Sequence, residues 1–535
     1  MLPLLRTVLL AIQVQAAGAT PRTPLIENLG KLHRPISTTV PLAQRYFDQG
    51  LLLTYGFNHE EAINSFREAA RLDSTCAICY WGVAFALGPN INIPMDPSMT
   101  AQALEAIREA QARLSHASPV ERAYIEAIAV RYSSDTALGR AALDTAYAAA
   151  ARDVWQHFPT DDDAGALYAD ALMNLAPWNY WQADGAPRPG TQEIIVTLER
   201  ILRRDPTHIG ACHFYIHAVE ASLEPQRAIR CAERLPWLAP GAGHLVHMPA
   251  HIYMRVGRYA DAVTANAHAA HMDATFIERR HPSGFYPVYY SHNLHFLWAA
   301  TQMDGRSAES LRAARDLAKS VRPETIRQVP PLEYLVPTPL FALVQFGKWD
   351  VVLREPQPSE NLRYSRAIWY YARGRAFTAQ KQLDQAAAAL DSLSTIRDAI
   401  KDAPLGFQTA GTLLGIASHT LAGAIAAQRG DTAAAVSELQ EAVRLQDALA
   451  YDEPPAWYYP VRQSLGAALL AAGRAPEAET VYQDDLKRNP ENGWSLFGLA
   501  HALRAQEKET EAVAVDERFR RAWARADVVL TASQF

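Results

Sequence analysis

Two H-x-x-x-H pairs, His213/His217 and His247/His251, stand 34 residues apart in a chain of 535 residues. On a helix, side chains at i and i+4 share a face, so each pair can offer two neutral imidazoles to one ion from a single turn. His244 precedes His247 by three positions and Glu220 follows His217 by three. Offsets of three, four and seven return to one helical face, which sorts these residues into two stripes: His244/His247/His251 and His213/His217/Glu220. Further on, His292 and His295 share a face of the helix expected over VYYSHNLHFLWAATQMDG. Imidazole suits copper, zinc, iron and nickel. Copper or zinc is favoured, with iron a further candidate, and the inventory fits a mononuclear or a dinuclear site. Paired histidines on facing helices are similar in ligand type to helical dinuclear copper proteins, an analogy that does not extend to the fold. Carboxylates are scarce, Glu220 and Asp170 being the obvious ones, which disfavours a carboxylate-bridged di-iron site. No HExxH is present, so a zincin protease has no support. A lone H-x-x-x-H is more often a satisfied core pair. Two in one register, with a third cluster nearby, point to a metal.

The elements that must position these histidines are read from the same spacing. Pro206 and Pro240, Ala228 and Ala262, and Ile229 and Val263 repeat with the histidine pairs. The period is that of a helix–turn–helix repeat, and small–small–aromatic beats recur elsewhere: Gly50, Ala62, Phe66 and Ala69, then Gly466, Gly473, Ala478, Tyr482 and Pro490. On these residues the chain resembles the tetratricopeptide repeat (TPR) family, of the bacterial secreted type. The resemblance is most specific over 44–74, 206–273 and 464–505. It implies an all-α, TPR-like α-solenoid of antiparallel helix pairs, here with irregular insertions at 177–190 and 274–287. It also implies that the first helix of each repeat lines a concave groove. His213, His217, His244, His247, His251 and Glu220 fall on ligand-contacting positions of that helix, and Asp170 does so one repeat earlier. Tyr289 and Tyr290 are expected beside the histidines. Trp457 and Arg462, in the aromatic segment DEPPAWYYPVRQ, are expected to cap the groove, though such a cluster is more often packing between repeats.

Nearly half the residues are apolar and 20% are charged, a folded composition. A net charge of -6 gives no basic stripe for nucleic acid. The start, MLPLLRTVLLAIQVQAAGAT, fits a cleaved export signal over 1–19 and so a periplasmic or secreted protein, and no later apolar run is expected to span a bilayer. Four cysteines suit an oxidising compartment. Cys76/Cys79 read as a small disulfide or two packed thiols, and Cys212/Cys231 as a candidate disulfide across one helix pair. The expected organisation is a lead-in over 20–42, helix pairs over 43–175, a histidine-rich centre over 176–330 and further repeats over 331–535. No Ser-His-Asp order, phosphate loop or dinucleotide fingerprint appears. Two function classes follow. One is a groove carrying a transition-metal site, with oxidative chemistry or metal-assisted hydrolysis on a small molecule. The other is a non-enzymatic scaffold binding a peptide or protein in the groove.

Overall fold

The computed structural model describes residues 23–282 and 285–535, so the export signal expected over 1–19 lies outside the described residues. The fold is an all-α, TPR-like α-solenoid: helices follow one another along the described chain and pack pairwise with their sequence neighbours. The strand content described is one antiparallel two-residue pair, Pro404–Leu405 with Gln408–Thr409. Two compact units are formed. The first holds the described part of Leu2–Ile252 together with His268–Tyr289, and the second holds Tyr253–Ala267 with Tyr290–Phe535. The division falls inside the segment 176–330 that the sequence groups as one.

Local chemistry starts and stops these helices. Pro41 opens Pro41–Tyr55, where its missing N–H is no loss. Asn58 caps His59–Leu72 by accepting from the Glu61 N–H at 3.4 Å, and Glu60 and Glu61 place negative charge in the first turn. Ser118 and Glu121 form a reciprocal capping box at the head of Pro119–Ala129. The packing beat expected from sequence is present in both units. In the first, a Cβ at Gly50 or Gly82 would stand 2.7 or 2.5 Å from the Phe66 ring, so the ring is wedged between two helices that lack side chains there. In the second, the Tyr482 ring occupies the equivalent space between Gly466 and Gly498. A glycine facing a buried aromatic brings helix axes close and fills the gap at once.

Two expectations need correction. Helix Ala410–Gln428, 19 residues long, is apolar enough to cross a membrane by length and composition, but 61% of its apolar window is buried. Leu413, Leu414, Ile416, Ala417 and Leu421 are interior, between neighbours Leu383–Ile400 and Thr432–Asp447, so its apolar surface serves the core of its own unit. Cys76 and Cys79 are joined as a disulfide, whereas Cys212 and Cys231 are buried thiols. The Cys212 thiol is pushed well above its ordinary range by a hydrogen bond with Cys231 and by burial, which keeps Cys212 protonated.

Candidate metal centre

The first unit gathers five of the seven expected imidazoles. His213 and His217 lie on Ile209–Val219, a helix buried along its whole length. His244 and His247 lie on Gly243–His247, and His251 follows on Pro249–Arg255 after a one-residue interruption at Met248. All five rings are between 0% and 2% exposed. Two glycines make this possible. A Cβ at Gly210 would collide with the Tyr55 ring, and one at Gly243 with a carboxylate oxygen of Asp273.

The Nδ1 side of three rings is tied outward. His213 Nδ1–H donates to the Tyr55 carbonyl at 2.6 Å. His217 Nδ1–H donates to Glu220 Oε1 at 2.7 Å, and His251 Nδ1–H donates to Oε2 of the same carboxylate at 2.5 Å. Because a carbonyl or an ionised carboxylate can only accept, these bonds fix the tautomer and leave the Nε2 lone pairs directed inward. Glu220 is completely buried. Burial alone would raise its carboxyl, yet His251 and His217 bring it down to about 2, so it is an anion here. His213 and His217 are held neutral. Burial lowers His213 well below its usual range, helped by His217, and burial lowers His217 against the opposing pull of Glu220.

Inside this frame the Nε2 atoms meet. His213 Nε2 lies 3.1 Å from His244 Nε2, and His247 Nε2 lies 2.9 Å from His251 Nε2. His213, His217 and His244 can each present one nitrogen with all three atoms within 4.8 Å of one another. Two imidazole nitrogens bound to one ion at about 2.0–2.1 Å, with angles between right and tetrahedral, stand about 2.9–3.4 Å apart. A proton shared within each pair would satisfy the same distances. It would leave His217 Nε2, a buried acceptor with no hydrogen-bond partner among the described residues, unpaired.

Aromatic rings wall the cluster. Phe57 has its centroid 4.5 Å from that of His213, 5.4 Å from His244 and 6.1 Å from His217. It reaches them from a left-handed backbone position, φ 56°, in the turn after Pro41–Tyr55. Trp178, from the insertion at 177–190, stands edge-to-face with His217 at a centroid distance of 5.0 Å, and the Tyr289 centroid lies 4.7 Å from that of His244. Beside His244 is a chamber of about 10 Å³, lined in part by Gly56, Asn58, Gly243 and Tyr286, with room for about one water.

The remaining expected residues are placed as follows. His292 and His295 belong to the second unit. There the His295 ring is stacked on Trp298 at 5.5 Å and burial lowers its pKa to about 3, while His292 is half-buried and T-shaped to Phe296 at 5.0 Å. Asp170 is buried and hydrogen-bonded by Asn174 Nδ2 at 3.1 Å; burial raises its carboxyl to about 7 although Arg131 opposes this. Tyr290 is half-buried, and Trp457 is 1% exposed, packed on Phe341 and Tyr371. Arg462 makes a bidentate pair with Asp447, both contacts at 2.7 Å. Sequence reading missed Phe57, the Tyr55 carbonyl and His208. The last caps Ile209–Val219 through Nδ1 and meets Asp163 at 3.2 Å. The aromatic after Gly56, in a turn where a small polar residue is usual, was the one available signal for Phe57.

No family model and no curated protein matches the chain. Among solved structures, a human IFIT1 dimer with m7Gppp-AAAA aligns at 10% identity and a TM-score of 0.31, covering 83% of this chain and 90% of that one. Yeast Tom70 aligns at 11% identity and a TM-score of 0.29, covering 90% of this chain and 92% of that one.

Proposed function

We propose that this protein is a metalloprotein whose TPR-like array holds a transition-metal ion, copper or zinc, on His213, His217 and His244. The observation that carries this reading is the convergence of buried imidazole nitrogens whose opposite nitrogens are locked. A ligating histidine ordinarily donates its second N–H to a carboxylate or carbonyl, and Glu220 and Tyr55 supply those acceptors here. Each of the three would bind as a neutral imidazole, which suits a borderline or soft cation, and the aromatic wall keeps bulk water away. The chamber beside His244 has room for about one water. Oxidative chemistry on copper or hydrolysis on zinc are therefore the reaction classes that fit. A peptide laid in a groove would not reach rings that are at most 2% exposed, which weighs against the scaffold reading for this site. The Cys76–Cys79 disulfide is in keeping with export to an oxidising compartment.

The test is elemental analysis of untagged protein purified without chelator. Copper or zinc near one equivalent or more, lost in H213A/H217A while helicity is retained, supports the reading. Protein that carries no metal and takes up none when it is added refutes it.

A further inference from the structure

We infer that the centre is dinuclear: His247 and His251 supply two ligands of a second metal position, and Glu220 links the two positions through their histidines. The inference rests on the metal reading above and adds to it a site of its own.

Three observations carry it. The first is duplication. His247/His251 repeats His213/His217 at a displacement of 34 residues, so whatever one first helix presents inward, the next presents again. The second is distance. His247 Nε2 and His251 Nε2 are 2.9 Å apart, within the span of two imidazoles on one ion, and this pair is separate from the His213–His244 pair at 3.1 Å. The third is the carboxylate between them. Glu220 has one oxygen on His217 Nδ1 and the other on His251 Nδ1. Each N–H points at the carboxylate, so the two Nε2 atoms point away from it, one toward each pair. A single anion thus orients one ligand of each position. It also places a negative charge near both, offsetting part of the repulsion between two cations in a buried site. The second position would take the same class of ion as the first, a copper or zinc ion favoured by neutral imidazole.

The experiment uses the full chain, stripped with chelator, reloaded with Zn(II) alone and freed of excess zinc. Metal content is then measured for the unaltered protein, for H247N/H251N and for H213N/H217N, with anomalous diffraction at the zinc edge on crystals of the unaltered protein. Two zinc ions per chain, falling to one in each double variant, support the inference, as do two anomalous peaks should a variant fail to fold. One ion per chain with one peak, whether or not H247N/H251N retains it, overturns the second position and leaves a mononuclear centre. No ion at all overturns the metal reading itself. In E220L, which removes the acceptor of both N–H groups, zinc affinity should fall about 10–100-fold at both positions. A loss confined to one position contradicts the linking role.

Discussion

The carbonyl of Tyr55 accepts the Nδ1–H of His213 at 2.6 Å across 158 residues of chain. Tyr55 ends the first helix of the described chain, and its hydroxyl donates to Asp163, which also meets His208 and Arg34. The orientation of a candidate ligand is thus set by a helix end that is itself held by a partly buried ionic cluster. Gly210 is what lets the Tyr55 ring approach.

Gly210→Ala should therefore displace Tyr55 and, with it, the acceptor for His213. Overpacking of this kind costs about 1–3 kcal/mol. The expected outcome is a lower denaturation midpoint together with weaker metal retention. Unchanged retention in a destabilised G210A protein would detach Tyr55 from the site.

Phe57 is 3% exposed and its ring centroid lies 4.5 to 6.1 Å from those of three of the imidazoles. Truncation to Ala leaves a cavity over the cluster and should cost about 3–5 kcal/mol. It also opens the water-excluding wall, so metal should pass faster to a competing chelator in F57A than in the unaltered protein. Phe57→Leu, which keeps most of the volume, should fall between the two.

Asp170 gives a pH dependence separate from the histidines. Burial raises its carboxyl from 3.8 to about 7, with Arg131 opposing and Asp144 adding to the rise. The folded state therefore binds this proton more tightly than the unfolded chain does. The associated stability is fully present below about pH 4 and is lost as pH rises through 7, an effect of about 4 kcal/mol at most. Asp170→Asn carries no proton to lose. Urea denaturation at pH 5 and pH 8 should show a smaller drop between the two pH values for D170N than for the unaltered chain. Equal drops would mean that Asp170 titrates normally.

Much of this was legible in the residues themselves. The glycine–aromatic wedges at Phe66 and Tyr482 are local in spacing, so a repeat reading finds them. The histidine stripes follow from helical period alone, and Glu220 fell on the right face because it lies one turn beyond His217. What escaped was long-range or conformational. Phe57 reaches the cluster through a left-handed φ that its residue type does not advertise, and the Tyr55 carbonyl acts through backbone, which leaves no side-chain signature. Burial was also misjudged, because positions that line a groove in the repeat family are interior here: Glu220, Asp170 and Tyr289 are at most 3% exposed.

X-ray absorption at the metal edge, on protein as purified, tests the central claim most directly. An ion on His213, His217 and His244 should show nitrogen scatterers at about 2.0–2.1 Å, with the outer-shell pattern of imidazole rings and no sulfur at about 2.3 Å. A first shell of oxygens without imidazole scattering, or one dominated by sulfur from Cys212 and Cys231, would contradict the histidine centre.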